Sequence, residues 1–176
     1  LQDCAALMTS ILHAPKPVIA CVQGIASAAG CQLVSACDLA IASEDATFCT
    51  PGVNIGTFCT TPLVGIGRNL SRKHALEMAL TGDQFDAATA ERFGLINRSV
   101  PASELEQATQ ELAGKIASRS AESIARGKSA FYQQLEMPLD KAFELANQVM
   151  RDNLTSEGDA KEGIGAFLEK RDPKWG

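Results

Sequence analysis

The sequence predicts an α/β fold followed by a helical region, and two observations support this. Over residues 1–100, short apolar runs of strand length alternate with helix-like segments through short connections, a pattern typical of α/β layering. From residue 101 to residue 176, strand-like runs are absent and amphipathic segments follow one another. We therefore predict a core over 1–100 and a helical region over 101–176. The apolar faces of the helices over 101–176 indicate packing on the core and on another subunit.

The first elements follow from proline, glycine and apolar runs. Residues 1–13 form an amphipathic pattern that the prolines of segment 14–17 should end, because proline disfavours helix in the residue before it. Apolar runs predict strands over 18–22, 38–42 and 46–49, with Gly24 closing the first of them. A helix is predicted from Ala28 to about Cys37. Segment 51–62 is predicted to be loop.

Capping residues define the next elements. A helix is predicted over 63–80 with an interruption near Gly65–Gly67. Asp86 is expected to cap a helix over 87–93 that Gly94 ends, and a strand is predicted over 95–100. Ser103 and Glu106 have the spacing of a capping box at the start of the helical region. Three further helices are predicted around 121–135, 139–154 and 159–170.

Composition excludes several classes of function. The formal net charge is -5, which disfavours nucleic acid as a partner. Segment 18–37 has no charged residue, but its polar residues and central glycines indicate a buried strand and helix, so no membrane span is expected. The six cysteines form no Cys-x-x-Cys pair and only two histidines are present, so no metal site is expected. Scattered cysteines of this kind are typical of a reducing intracellular compartment.

Four blocks carry a family resemblance, because they occur together and in order. They are KPVIACVQGIA at 16–26, GCQL at 30–33 with CDLAIASEDATF at 37–48, EMALTG at 77–82 with GLIN at 94–97, and EGIGAFLEKR at 162–171. The chain resembles the crotonase superfamily, the enoyl-CoA hydratase/isomerase family. This implies a ββα spiral core, truncated at its N-terminus, with a C-terminal helical region that forms trimers. The chain lacks an initiator Met and begins in helix-like sequence, which fits a truncated form.

The resemblance also implies a site. The backbone N–H of Ala29 would be one of two oxyanion donors, and Gly24, Ala28 and Gly30 would lie around the substrate. The second donor would come from a loop upstream of this chain. Ala28-Ala29-Gly30 stands where the family usually has three glycines, and alanine keeps the N–H if the backbone needs no positive φ.

The family's two catalytic glutamates would fall at Gln32 and Gly52, neither of which can exchange a proton near neutral pH. The loop after Gly56-Thr57 also departs from the family pattern. By the same resemblance, Phe167 and Lys170 would contact the nucleotide end of an acyl-CoA. The resemblance implies no cofactor beyond the coenzyme A of the substrate.

Other candidate residues are expected to be structural. Asp38, beside Glu44 and Asp45, is expected to be a hydrogen-bonded structural carboxylate. Cys49 and Cys59 are expected to be incidental thiols.

The resemblance further implies mitochondrial fatty acid metabolism in the matrix, in a homotrimer or a mixed crotonase-fold oligomer. Three functions remain open: an enzyme that uses the oxyanion donor without the glutamate pair, a non-catalytic acyl-CoA-binding protein, and a structural subunit of mixed trimers. Gln32 and Gly52 favour the second and third.

Overall fold

The computed structural model describes residues 2–176, so Leu1, the first residue of the first predicted helix, lies outside the described residues. The chain divides into two compact units. One contains residues 2–12 and 18–113, and the other contains residues 13–17 and 114–176. The sequence placed the change of character at residue 100. The compact division falls at 113/114, so the first part of the sixth helix belongs to the first unit.

The first unit alternates strands and helices, as predicted for an α/β layer. In chain order its elements are α1 (Gln2–His13), β1 (Ile19–Val22), β2 (Ile25–Ser27), α2 (Ala29–Ala36), β3 (Leu39–Ser43), β4 (Thr47–Cys49), a 3₁₀ helix (Pro51–Ile55), α3 (Pro62–Asn69), α4 (Arg72–Thr81), β5 (Phe85–Asp86), α5 (Ala87–Phe93), β6 (Arg98–Val100), a 3₁₀ helix (Ala102–Glu104) and α6 (Leu105–Ala117).

Two three-stranded sheets organise this unit. The first has the order β1-β3-β6 and is parallel throughout, with Ile19 opposite Leu39 and Ile41 opposite Arg98. In the second, of order β2-β4-β5, β2 pairs parallel to β4 while β4 pairs antiparallel to β5. Parallel strands need crossover connections, and α2 supplies one.

The core of the first unit is rich in small residues. Phe48, Ile66 and Met78 are fully buried at 0% exposure, and several alanines complete the cluster. Small residues allow close approach between elements. At Gly65 on α3, any Cβ would overlap the Ser35 hydroxyl of α2. Asn69 ties the same two helices by donating to the Ser35 carbonyl at 2.9 Å.

The structure corrects several predictions. Strands β2 and β5 were missed, α2 begins at Ala29 and not at Ala28, and a 3₁₀ helix (Pro51–Ile55) lies in the segment predicted to be loop. The helix predicted over 63–80 breaks at Leu70-Ser71 and not at Gly65–Gly67. Gly65 lies within α3 and allows its close contact with Ser35 of α2. The strand predicted over 95–100 is shorter.

The capping box is also wrong. Ser103 lies inside the 3₁₀ turn Ala102–Glu104 and α6 begins at Leu105.

The second unit is helical, as predicted. It contains α7 (Ala121–Gln134), α8 (Leu139–Thr155) and α9 (Asp159–Glu169), which pack pairwise. Ser120 caps α7 by accepting the Ser123 N–H at 3.0 Å. The C-terminal tail is held on α9, because Glu162 accepts two hydrogen bonds from the Arg171 guanidinium and one from the Lys174 N–H.

Large apolar side chains of the second unit remain exposed. On α8, Leu139, Phe143, Met150 and Leu154 are 52–75% exposed and follow one stripe of the helix. On α9, Phe167 is 81% exposed. A monomeric soluble protein rarely exposes contiguous apolar surface of this kind. Within residues 2–176, none of the helices has the length and apolar character required to cross a membrane.

Candidate functional site

The site predicted around Ala29 begins with a strained turn between β2 and α2. Ala28 has φ 46° and ψ -108°, close to the first central residue of a type II′ turn, which glycine dominates. Alanines can replace the family's glycines here only if the backbone needs no positive φ. That condition holds at Ala29 and fails at Ala28. The Ala28 N–H donates to the Cys49 carbonyl at 2.9 Å and fixes the turn against the end of β4.

The predicted oxyanion donor is open to solvent. Ala29 is the first residue of α2 and is exposed, and no carbonyl within residues 2–176 accepts its N–H. The first N–H groups of a helix lack intrahelical partners and lie at the positive end of the helix dipole. Gly30 follows in α2, and Gly24 lies in the bend between β1 and β2. A Cβ at either glycine would meet no atom within 4 Å.

Gln32 lies one turn further along α2 and is 7% exposed. Its Oε1 accepts a hydrogen bond from the Cys4 thiol of α1 at 3.7 Å. Its amide nitrogen donates to no group among the described residues, and it is not among the fully buried atoms that lack a partner. The amide nitrogen is therefore within reach of solvent.

Gly52 is buried in the 3₁₀ helix that follows β4, and its side-chain space is already filled. A Cβ at this position would lie 3.0 Å from the Cys59 Sγ, 3.1 Å from the Cys59 nitrogen and 3.3 Å from the Phe58 carbonyl carbon. The chain reaches this position by folding back, because the Thr57 N–H donates to the Gly52 carbonyl at 3.0 Å. A side chain at 52 therefore requires segment 58–59 to move.

Sheet topology brings the elements that carry Gln32 and Gly52 to the same end of the second sheet, the carboxyl end of β2 and β4. Ser27 at the end of β2 pairs with Cys49 at the end of the parallel strand β4. The helix carrying Gln32 and the 3₁₀ helix carrying Gly52 leave from these neighbouring strand ends. The 3₁₀ segment is anchored on α4, because the buried Thr50 hydroxyl donates to the Met78 carbonyl at 3.1 Å.

The thiols of Cys31, Cys49 and Cys59 lie near one another close to these strand ends. Burial, together with a smaller effect of the nearby Cys49 and Cys59, raises the pKa of the Cys31 thiol to about 12. Cys31 is thus protonated at neutral pH. Cys59 is only half-buried. Within residues 2–176, no group of three His, Cys, Asp or Glu side chains is arranged to hold a metal ion.

The remaining candidates have local roles. Asp38 accepts the Val18 N–H at 2.7 Å and joins the start of β1 to β3, so its predicted structural role is confirmed. In the second unit, Phe167 is exposed on α9, and Lys170 ends that helix in the left-handed conformation at φ 56°. Their contact with a nucleotide stays a prediction. Sequence reasoning missed the contacts of Cys4 with Gln32 and of Cys59 with Gly52, because nothing local signals either.

Comparison with known proteins defines the class. A family model described as Enoyl-CoA hydratase/isomerase matches residues 2–176, and the fold is that of the crotonase superfamily. This chain belongs to the enoyl-CoA hydratase/isomerase family.

Among curated relatives, it is 50% identical over 174 residues to the rat protein named Enoyl-CoA hydratase domain-containing protein 3, mitochondrial. It is 37% identical to a Probable enoyl-CoA hydratase, mitochondrial, of Dictyostelium discoideum.

Solved structures agree. The human enoyl Coenzyme A hydratase domain-containing protein 3 superposes with a TM-score of 0.96 at 49% identity, over 99% of this chain and 68% of that chain. An enoyl-CoA hydratase of Mycobacterium smegmatis gives a TM-score of 0.96 at 44% identity, over 99% of this chain and 67% of that chain. The alignment with the rat relative covers 99% of this chain and 58% of the relative. This chain therefore spans a little over half the length of that protein.

Proposed function

We propose that this protein binds acyl-CoA thioesters in mitochondrial fatty acid metabolism and does not hydrate them. The observation that carries the proposal is the filled side-chain space at Gly52 beside the open N–H of Ala29. The oxyanion donor supports thioester binding. Hydration in this family requires two carboxylates. The second position has no side chain, and a Cβ there would need segment 58–59 to shift.

The chemistry of Gln32 supports the same conclusion. Its amide hydrogen-bonds a ligand or water but accepts no proton near neutral pH. General acid–base groups contribute about 10²–10⁴-fold each. The absence of both groups lowers the expected hydration rate by several orders of magnitude, although the two losses need not multiply. One backbone N–H at an oxyanion typically contributes about 10²–10³ in rate, and the same contact holds a thioester oxygen in the ground state.

Assembly is the second part of the proposal. The exposed apolar stripe of α8 supports a homotrimer or a mixed oligomer with related subunits. A purely structural subunit of mixed trimers is the alternative function, and this stripe is the observation that favours it. If an oligomer that contains only this chain binds an acyl-CoA with measurable affinity, the protein is a binding protein and not a purely structural subunit. The proposed location is the mitochondrial matrix. The names of the rat and Dictyostelium relatives support a mitochondrial location.

The test combines binding with turnover. Affinity for butanoyl-CoA is measured by calorimetry, and hydration of but-2-enoyl-CoA is followed by loss of its conjugated absorbance. We expect binding without hydration.

The rescue variant carries Gln32→Glu and Gly52→Glu together with Cys59→Gly, because the new carboxylate at position 52 needs the room of the Cys59 side chain. Gln32→Glu and Gly52→Glu without the change at Cys59 is the matched control. Hydration by the unaltered chain at a rate typical of enzymes would overturn the proposal, and so would a lack of butanoyl-CoA binding.

A further inference from the structure

The C-terminal tail, residues 171–176, is fixed to α9 by the side chain that begins it. The Arg171 guanidinium donates to both carboxylate oxygens of Glu162, at 2.6 and 3.0 Å, and its Nε donates to Glu169 at 2.6 Å. The Lys174 N–H donates to the same Glu162 carboxylate at 2.8 Å. Glu162 is therefore the residue of α9 that holds two separate points of the tail.

Trp175 holds the tail at a third point. Its ring lies against α9, because a Cβ at Gly163 would be 3.2 Å from the ring. Its indole N–H donates at 2.9 Å to the carbonyl of Ser118, the residue that follows α6 by one position. The neighbouring Gly176 N–H donates to the Asp159 carboxylate at 3.0 Å. The tail thus runs back along α9 and joins it to the segment after α6.

Lys170, between α9 and the tail, has a strained backbone. Its φ of 56° and ψ of 40° are left-handed. The Arg171 N–H donates to the Ala166 carbonyl at 3.0 Å and the Lys170 N–H to the Phe167 carbonyl at 3.3 Å, which is the Schellman motif. Glycine usually occupies the left-handed position of this motif, because a side chain there costs free energy. Such a conformation persists where the surrounding structure fixes it, and here the contacts of the tail do so.

The two cations at this turn have different surroundings. Arg171 is paired with two carboxylates, Glu162 and Glu169. The Lys170 side chain is exposed, and its ammonium forms no ion pair within residues 2–176. A lysine near a helix C-terminus stabilises the helix dipole, but that role needs no left-handed residue. A lysine ammonium also binds phosphate as a point charge, and a phosphate ligand accounts for an ammonium that is held in one direction.

We propose that the tail positions Lys170 for the phosphates at the nucleotide end of an acyl-CoA, with Glu162 and Trp175 as positioning residues. This inference rests on the proposed binding of acyl-CoA and on the contact that the family resemblance implies for Lys170. The last turn of α9 fixes one flank of residue 170 and Arg171 fixes the other. When the tail detaches, residue 170 relaxes to a negative φ and its ammonium turns away. Binding of the nucleotide then weakens, whereas binding of the thioester is unaffected.

The test is a double-mutant cycle on affinity. Binding of butanoyl-CoA to the full chain is measured by calorimetry for Glu162→Gln, Trp175→Ala, Lys170→Gln and the double variant Glu162→Gln with Lys170→Gln. S-butanoyl-pantetheine, which lacks the nucleotide, is the second ligand. Lys161→Gln is the matched control, because Lys161 is an exposed lysine of the same helix that pairs with Glu157. Emission of Trp175 reports whether the tail has detached in Glu162→Gln.

We expect Glu162→Gln and Trp175→Ala each to weaken butanoyl-CoA binding about tenfold, the loss of one charge-assisted contact, and to leave the affinity for S-butanoyl-pantetheine within about twofold. Lys170→Gln should weaken butanoyl-CoA binding by a similar factor. Adding Glu162→Gln to Lys170→Gln should then have no further effect, because both act through one contact. Lys161→Gln should change neither affinity.

Additive losses in the double variant, or equal losses for both ligands, overturn the proposal, because either result indicates a general effect on the fold. A shifted Trp175 emission in Glu162→Gln with unchanged butanoyl-CoA affinity overturns it, and so does an unchanged emission. If the unaltered chain binds the two ligands equally, the proposal fails and the proposed function stands, whereas binding of neither refutes both. The cycle uses only Glu162 and Lys170, so it decides the point even where Trp175→Ala does not fold.

Discussion

Ala28 offers a direct test of the geometry at the start of α2. Its φ of 46° and ψ of -108° lie in a region that costs a residue with a side chain about 1–3 kcal/mol. Replacing it with glycine removes this strain. Glycine in turn costs about 0.5–1 kcal/mol through the entropy of the unfolded chain. The net expectation for Ala28→Gly is a stabilisation of about 1 kcal/mol, which is a rise in Tm of about 2–4 °C for a chain of this size.

Ala29→Gly is the matched control, because the neighbouring alanine has ordinary helical geometry. There the substitution only adds flexibility and should cost up to about 1 kcal/mol. Thermal unfolding followed by circular dichroism at neutral pH compares both variants with the unaltered chain. The two variants should differ in Tm by about 4–8 °C, with opposite signs relative to the unaltered chain. A Tm for Ala28→Gly as low as that of Ala29→Gly would refute the assigned strain.

Three further predictions concern other parts of the chain. Gly52→Ala should lower the free energy of unfolding in urea by about 1–3 kcal/mol, since its Cβ meets segment 58–59. Gly30→Ala is the control, because its Cβ enters open space, and it should be neutral or stabilising by up to about 1 kcal/mol. Equal effects of the two substitutions would contradict the contact at Gly52. Asp86→Ala should cost about 1 kcal/mol by removing the cap of α5, and a loss below about 0.3 kcal/mol would count against it. Hydrogen bonds from the tail hold the pKa of Glu162 at about 2, below its usual 4.5. This stabilisation is therefore complete above pH 4.5 and lost as the pH falls toward 2. Emission of Trp175, the single tryptophan, should shift over that range, and Glu162→Gln should show the shifted emission at neutral pH; an unchanged spectrum would contradict the assignment.

Much of the element order could be predicted from the sequence because its signals are local. Asp86 and Gly94 bound α5 as predicted, since a side-chain cap and a left-handed glycine act within one turn. Segment Ile25–Ser27 was missed because three residues after a glycine carry too little periodicity to indicate a strand. From the sequence, Gly65 was taken to indicate a helix interruption. In the structure it allows close approach to Ser35, which lies 30 residues away in sequence.

The candidate site likewise has a part that the sequence could predict and a part that depends on tertiary contacts. Ala29, Gln32 and Gly52 were predicted from motifs that the family resemblance supplies. The positive φ of Ala28 and the thiol of Cys59 beside position 52 depend on how β2, β4 and segment 58–59 come together. Contacts across such distances leave no pattern in the sequence. For the same reason, the sequence indicated which carboxylates are absent but not what occupies their space.

The crowding at Gly52 also bears on the history of this chain. A single substitution to glutamate there would collide with Cys59 and would lower stability before it restored any chemistry. A lineage that has acquired this arrangement must first clear the neighbouring position, a step without benefit of its own. A glutamate at position 52 is therefore not reached by one substitution without a cost in stability, and it is better accommodated when Cys59 changes as well.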